Sequence, residues 1–177
     1  MHSKVEGARH FAPHSSPRRR GSKILSLSSL KKLRSQWKRQ SKKVVFTNGC
    51  FDILHFGHVS YLRKAKAAGN ILVIGLNTDA SVRKLKGPER PVNSEKDRAE
   101  ILSELASVDA VILFGEDTPE KLIHALKPDV LVKGADWKKE DIVGGKFVES
   151  CGGVVKRIKF EAGRSTTKTL NKLKLSS

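Results

Sequence analysis

Five short apolar runs, separated by segments with helical periodicity, constrain the fold of this chain more than any other feature. The runs begin at Val44, Ile71, Ala110, Val130 and Val154. Residues 71–76 are apolar without interruption, which is typical of a strand buried on both faces of a sheet. Strands that alternate with helices are joined by right-handed crossovers and lie parallel. The sequence therefore predicts an α/β fold with a doubly wound parallel sheet of about five strands.

The first helical pattern covers residues 27–39, ahead of the first strand. Ser26 is a suitable N-cap, because its hydroxyl can accept a hydrogen bond from the first turn. Apolar side chains recur on one stripe, which we expect to pack on the domain; they are Leu27, Leu30, Leu33 and Trp37.

Three further helices are predicted downstream. The pattern at 94–106 has Ser94 as N-cap, and the one at 119–126 has Thr118 as its cap and Pro119 at its first position. A last helix is expected over 166–173. The predicted buried side of the 94–106 helix consists of Ala99, Ile101, Leu102 and Leu105.

Two histidines flank a glycine where the first strand leads into a helix. His55, Gly57 and His58 follow a turn over residues 47–52, and a helical pattern begins at His58. A helix N-terminus attracts phosphate, because its first N–H groups lack intrahelical partners and carry a partial positive charge. Glycine allows close approach to the backbone, and imidazoles donate hydrogen bonds to phosphate oxygens. We therefore expect a nucleoside triphosphate to bind here, at the carboxyl end of a parallel strand.

Other interpretations of this junction are weaker. A single histidine at a helix start is usually a cap or a solvated group, but two histidines around a glycine favour phosphate binding. The spacing is too tight for the i, i+4 pair of a zinc site, and Cys50 and Cys151 complete no ligand set. The sequence contains neither the P-loop pattern nor the dinucleotide-binding glycine pattern.

An H-x-G-H motif after a first strand, with Ser165, Thr166 and Thr167 near the C-terminus, resembles the cytidylyltransferase-like nucleotidyltransferases. The resemblance narrows to the ADP-heptose synthase type and covers roughly residues 24–177. It rests on five segments in order: FTNGCFD at 46–52, LKGPERPVN at 85–93, LVKGADW at 131–137, IVGG at 142–145 and GRSTT at 163–167.

The resemblance implies a Rossmann-like nucleotidyltransferase fold and an adenylyltransferase activity. Such an enzyme joins heptose 1-phosphate to the AMP part of ATP and releases pyrophosphate, with Mg²⁺ bridging phosphate oxygens, in the synthesis of a lipopolysaccharide core precursor. In many similar proteins this domain is fused to a sugar kinase, and the present chain looks like the stand-alone form. The sequence leaves the oligomeric state open, a homodimer included.

The resemblance also implies roles for individual residues. His55, His58 and Lys86 are the catalytic candidates. Lys84 and Lys86 are expected in a basic loop after the second strand, and Lys84, Arg90 and Asp52 are the candidates for binding the sugar phosphate. For Asp52, orientation of His55, placement of the metal and a turn cap stay open, and no protein side chain is assigned as a metal ligand. The nucleotide-binding candidates are Cys50, Phe51, His55, His58, Lys86, Gly134, Asp136, Ser165, Thr166 and Thr167.

Four other residues receive narrower predictions. Arg98 lies inside a predicted helix, where an ion pair with a neighbouring acid is at least as reasonable as a substrate contact. His124 is predicted to be structural. Arg164 and Asn70 stand where many relatives carry a small residue and an aspartate, and we expect the Asn70 change to be tolerated because it lies away from the phosphates.

The net charge of +17 is concentrated ahead of the first strand. Residues 1–43 hold thirteen of the 35 basic residues and one of the 18 acids, so +12 lies there and +5 in the remainder. Residues 1–22 are predicted to be a disordered basic tail, because they lack periodicity and are rich in Ser, Pro and Arg. Residues 23–177 are predicted to form the nucleotidyltransferase domain, whose modest charge suits phosphate-rich substrates.

The chain lacks an apolar stretch long enough for a secretory signal or a membrane span, and two cysteines make no disulfide framework. The expected compartment is the reducing cytoplasm, with no membrane partner. Two alternative functions remain: a glycerol-3-phosphate cytidylyltransferase that uses CTP, and a nucleic-acid-binding module acting through the basic N-terminal region. Nucleic acid is disfavoured as a partner, because aromatic residues make up only 6% of the chain and no aromatic-rich basic strand is present.

Overall fold

The computed structural model describes residues 22–159, which form one five-stranded parallel sheet with helices on both faces. The strand order is β3-β2-β1-β4-β5. The chain winds outward from β1 in one direction through β2 and β3, and in the other through β4 and β5. The order therefore reverses between β1 and β4, which is where a doubly wound sheet binds its ligand. The predicted α/β fold is confirmed.

The strands begin at the five predicted apolar runs. Within residues 22–159 the helices and strands are, in chain order, α1 Leu27–Arg39, β1 Val44–Gly49, α2 Phe56–Lys66, β2 Ile71–Asn77, α3 Asp79–Lys86, α4 Glu95–Glu104, β3 Ala110–Phe114, α5 Glu120–Leu126, β4 Val130–Gly134, α6 Gly145–Ser150 and β5 Val154–Ile158. A short 3-10 turn covers Lys139–Asp141. None of the helices within residues 22–159 has the length and apolar character needed to cross a lipid bilayer.

The two faces of the sheet bury two separate apolar cores. One core joins Phe46 of β1 to α1, α5 and α6, and contains the fully buried Leu30 and Ile123. The other joins β1 and β2 to α2 and α4, and contains Leu62 and Leu102. All seven residues of β2 are buried, which explains its uninterrupted apolar pattern.

At the amino ends of the strands, here called the amino edge of the sheet, the same hydrogen-bond arrangement occurs twice. Asp109 precedes β3, and its carboxylate accepts hydrogen bonds from the Leu72 amide at 2.7 Å and from Lys66 Nζ. Asp129 precedes β4, and its carboxylate accepts from the Val44 amide, also at 2.7 Å. In each case an acid one residue before a strand caps the neighbouring strand, where the regular ladder has not yet begun.

Helix α1 packs on the sheet as predicted in range and cap, but not in every residue of its stripe. Ser26 accepts a hydrogen bond from the Ser29 amide, and Leu30 is buried while Trp37 packs against the core. The prediction was wrong for Leu27, which is 42% exposed. Residues 23–25 also pair with β3 through the amide and carbonyl of Val111, so the chain reaches the sheet before α1 begins.

Three other predictions need correction. The predicted basic loop that carries Lys84 and Lys86 is the helix α3, capped by Thr78. Pro119 is the N-cap of α5 rather than its first residue, and Thr118 does not cap that helix. In α4, Ser94 is the N-cap as predicted, but the helix ends at Glu104 and Ile101 is 45% exposed. The sequence did not indicate α6. The predicted helix at 166–173 lies outside the described residues.

Candidate active site

The turn after β1 is held in an unusual backbone conformation. Phe51 is 8% exposed and has φ 44°, in the left-handed region that non-glycine residues rarely adopt. Its ring lies against Gly49, where a Cβ atom would come within 3.1 Å of the ring. Such strain persists only where the surroundings fix it, and it is concentrated at functional sites. The turn delivers the chain to His55, the N-cap of α2.

The two histidines lie together at the N-terminus of α2. Their rings stack with centroids 3.8 Å apart and an interplanar angle of 25°, and the ring of Phe51 tilts against His58 at 5.3 Å. Nδ1 of His58 is buried and has no hydrogen-bond partner within residues 22–159. Two imidazoles and a helix N-terminus thus face the same place, at the carboxyl end of β1.

His58 is neutral at pH 7. Burial is the largest cause of a fall in its pKa to about 4, and the charges of the neighbouring His55 and Lys86 contribute to the same fall. A neutral imidazole serves an anion by donating its N–H rather than by carrying charge. Lys86 lies in the last turn of α3, and its ammonium is close enough to His58 to contribute to this fall in pKa.

Lys84 and Lys86 differ in their surroundings although both are exposed and lie in the last turn of α3. Lys84 pairs with Asp117 in an ion pair whose two side chains are both about 70% exposed. Lys86 makes no ion pair within the described residues. Gly87 ends the helix with φ 96°, a conformation that favours glycine, and so turns the chain toward residues 88–93.

Asp52 and Arg90 are tied to each other. The Asp52 side chain is 1% exposed and pairs with the Arg90 guanidinium, and its other oxygen accepts from the Val92 amide at 2.7 Å. The Asn93 side chain in turn donates to the Asp52 carbonyl at 2.9 Å. This carboxylate anchors residues 90–93 to the turn after β1, so the guanidinium that was predicted to bind phosphate is held in place by it.

Arg98 joins four segments around the site. Its side chain is fully buried and donates to the carbonyls of Cys50, Asn77 and Asn93, while Nη2 also pairs with Asp79 at 2.7 Å. The predicted ion pair with a neighbouring acid is confirmed. Sequence reasoning did not foresee that one guanidinium would fix the turn after β1, the end of β2, the start of α3 and the 90–93 loop together.

On the other side of β1, the end of β4 carries Gly134, which is buried, and leads to Asp136, which is exposed. The charge of Asp136 raises the pKa of Tyr61, although burial is the larger cause of its rise to about 12. The Tyr61 hydroxyl shares a 2.8 Å hydrogen bond with Thr47. Lys133 also lies here, and sequence reasoning gave it no role although it interrupts the apolar run of β4. Ser165, Thr166 and Thr167 lie outside the described residues.

The part of the site that the structure describes is rich in cationic side chains: Lys84, Lys86, Arg90, Arg98 and Lys133. Within residues 22–159, no group of three or more His, Cys, Asp or Glu side chains is placed to hold a metal ion. His124 lies elsewhere, stacked on Phe147 at 3.8 Å on the opposite side of the domain core from α2. Cys50, beside Phe51 in the turn after β1, and the exposed Cys151 are free thiols.

Comparison with known proteins agrees with this architecture. A family model described as cytidylyltransferase-like matches residues 46–171. The bifunctional protein HldE of Wolinella succinogenes is 54% identical over 151 residues, which are 85% of this chain and 31% of that protein. The protein of the same name from Helicobacter pylori is 54% identical over 145 residues, 82% of this chain and 30% of that protein. The chain thus spans about a third of the length of the curated relatives it matches.

Two solved structures share the fold. The lipopolysaccharide core biosynthesis protein from Thermoplasma volcanium has a TM-score of 0.56 and 32% identity, over 68% of this chain and 97% of that one. A pantoate-beta-alanine ligase from Francisella tularensis has a TM-score of 0.56 at 15% identity, over 81% of this chain and 68% of that one, and indicates the fold alone. Because the family model matches most of its length, this chain belongs to the cytidylyltransferase-like family of nucleotidyltransferases.

Proposed function

We propose that this domain is an adenylyltransferase that joins heptose 1-phosphate to the AMP part of ATP, giving ADP-heptose and pyrophosphate. The observation that carries the proposal is the stacked pair His55 and His58 at the N-terminus of α2, with Lys86 close enough to depress the pKa of His58. The heptose specificity is supported by the ordered sequence segments and by similarity to bifunctional HldE proteins and to a lipopolysaccharide core biosynthesis protein.

The reaction is an in-line displacement at the α-phosphorus of ATP. An oxygen of heptose 1-phosphate forms a bond to that phosphorus, and the bond from phosphorus to the bridging oxygen of pyrophosphate breaks. The attacking phosphate is already ionised, so the site needs to position two anions and stabilise charge rather than move a proton. His55 and His58 donate N–H groups to phosphate oxygens, and Lys86 neutralises the departing pyrophosphate.

The remaining candidates divide between the two substrates. On the side of β2, Arg90 offers a planar guanidinium to the sugar phosphate, and Asp52 holds it in orientation. Lys84 is the second cation on that side. On the side of β4, Gly134 and Asp136 contact the adenine and ribose, while Cys50 and Phe51 line the phosphate turn. Ser165, Thr166 and Thr167 supply hydroxyls to the phosphates.

In this proposal Mg²⁺ would accompany ATP, held through the substrate's phosphates, and would supply positive charge that offsets theirs. Asp52 is the most buried carboxylate near the site, and its oxygens are already engaged by Arg90 and by backbone amides. A cation that keeps several waters and is held through substrate phosphates fits such a site better than one held by a protein cage.

We also place this reaction in the cytoplasm, because a reducing compartment keeps thiols such as Cys50 and Cys151 unpaired.

The decisive experiment is a pyrophosphate-release assay with ATP or CTP against a panel of sugar and polyol phosphates, in the presence of Mg²⁺. We expect release with ATP only when a heptose 1-phosphate is supplied. Equal or faster turnover of glycerol 3-phosphate with CTP would establish the cytidylyltransferase alternative instead.

A further inference from the structure

Lys133 lies near the carboxyl end of β4, beside the point between β1 and β4 where the strand order reverses. It lies on β4, next to β1, and its Nζ donates to Oδ1 of Asn48 on β1 at 2.5 Å. The pairing of Val45 with Val130 and of Phe46 with Leu131 sets this register, which places Asn48 beside Lys133 at the carboxyl edge. The two side chains are held together by adjacent strands rather than by a loop.

The charge of Lys133 is poorly compensated within the described residues. Asn48 is neutral, and Lys133 makes no ion pair there. The Trp137 ring lies 5.8 Å from Nζ, a distance at which a cation–π interaction offsets only part of the loss of hydration.

The pKa of Lys133 is consistent with this uncompensated charge. Burial lowers its pKa and the charge of Asp136 partly opposes this, which leaves the pKa at about 8. The group is therefore still an ammonium at pH 7, and it is kept charged in a place that disfavours charge.

We propose that Lys133 binds a phosphate oxygen of the nucleotide, on the β4 side of the site opposite Lys86. A phosphate supplies the counter-charge that the protein omits, whereas a neutral base atom would leave the ammonium uncompensated. Asp136, three residues further along, is the ribose candidate, so the phosphate nearest Lys133 is the one attached to the ribose. This inference rests on two parts of the proposed function: the substrate is a nucleoside triphosphate, and, for the choice of phosphate, Asp136 contacts the ribose.

The test compares Lys133→Met with Lys121→Met, which replaces an exposed lysine of α5 by the same residue. Dissociation constants for ATP and for adenosine are measured by calorimetry without any sugar phosphate, and stability is measured by urea unfolding. For Lys133→Met we expect ATP binding to weaken about 10- to 100-fold, as for the loss of a charge-assisted hydrogen bond. The affinity for adenosine should stay the same. The urea midpoint of unfolding should stay the same or rise. Lys121→Met should change none of these.

Two results would overturn the proposal: unchanged ATP affinity in Lys133→Met, or an equal loss of affinity for ATP and adenosine. If Lys133→Met does not fold, Asn48→Asp tests the same point, since it gives the ammonium a protein counter-charge. That variant should weaken ATP but not adenosine, and ATP affinity equal to that of the parent would reject the proposal.

Failure of the heptose assignment can be told apart from failure of the Lys133 proposal, because the binding experiment contains no heptose phosphate. If the parent prefers CTP, the same comparison is made with CTP and cytidine.

Discussion

Charged residues at the amino ends of the strands (the amino edge of the sheet) are used differently from those at the carboxyl ends (the carboxyl edge). At the amino edge each acid is matched: Asp109 pairs with Lys66, Asp129 pairs with Arg34, and both carboxylates also accept a backbone amide. At the carboxyl edge the ion pairs of Asp52 and Asp79 fasten loops, while Lys86 and Lys133 have no ion pair within the described part of the chain. Charges at the amino edge are paired, whereas the carboxyl edge keeps positive charge that we propose a ligand neutralises.

This contrast predicts the largest effects on turnover at the carboxyl edge. His55→Ala and His58→Ala should each lower the turnover number by about two orders of magnitude or more, because charge stabilisation in the transition state is lost. Their unfolding midpoints should barely move, since both side chains face the ligand site. The measurement is pyrophosphate release together with urea unfolding. A large loss of stability at near-normal turnover would make the pair structural and would erase the contrast.

Two truncations test how much the N-terminal region contributes to the free energy of unfolding of the domain. We expect removal of residues 1–22 to leave folding and turnover intact, because that segment has little apolar surface to bury. Removal of residues 1–40 should destabilise the domain by roughly a few kcal/mol, since it deletes the buried Leu30, Trp37 and the Arg34 contacts. Denaturant unfolding measures the difference. Loss of activity in the shorter truncation would place the predicted tail in the site.

The capping device at the amino edge is tested by Asp129→Ala. Removing this carboxylate leaves the Val44 amide without its partner and removes the ion pair of Arg34, so the free energy of unfolding should fall by about 1–3 kcal/mol. Turnover per folded molecule should be unchanged. Asp117→Ala is the matched control, because its ion pair with Lys84 is exposed and worth less than about 1 kcal/mol. Equal effects of the two substitutions would contradict the proposed capping role.

The smallest expected effect is a pH dependence of stability from His58. Its folded pKa of about 4 lies below the ordinary histidine value of 6.5, so the unfolded chain binds more protons between these two pH values. His58 therefore lowers stability as the pH falls from 6.5 to 4, by at most about 3 kcal/mol and by less after allowance for partial solvent exposure. His58→Gln should remove this component. The difference in unfolding free energy between pH 7 and pH 4.5 measures it, with His124→Gln as a control outside the site. A parent-like difference in His58→Gln would show that the imidazole is not buried in solution.

Local sequence determined the elements whose signals are short-range. The β2 run is apolar because it is covered on both faces, Ser26 and Ser94 cap the helices they precede, and the H-x-G-H motif marks the junction of β1 with α2. Helix α3 escaped detection because it has eight residues and only Ser81 and Val82 are buried, too few for a visible period. So short a helix depends on docking to the sheet. For the same reason the sequence misjudged Leu27 and Ile101, whose exposure depends on where the covering surface ends.

Pairings between distant residues were decided by the tertiary structure alone. The sequence singled out Asp52 and Arg90 as separate candidates, but only the fold brings the guanidinium onto the carboxylate, 38 residues apart. Arg98 donates to backbone carbonyls of three segments and pairs with the carboxylate of a fourth. Lys133 meets Asn48 across 85 residues because β4 lies beside β1. Helical periodicity and N-caps depend on residues that are close in sequence, so they can be predicted from it. The charge balance of a site depends on which strands are adjacent, and that is set by the order of the whole sheet.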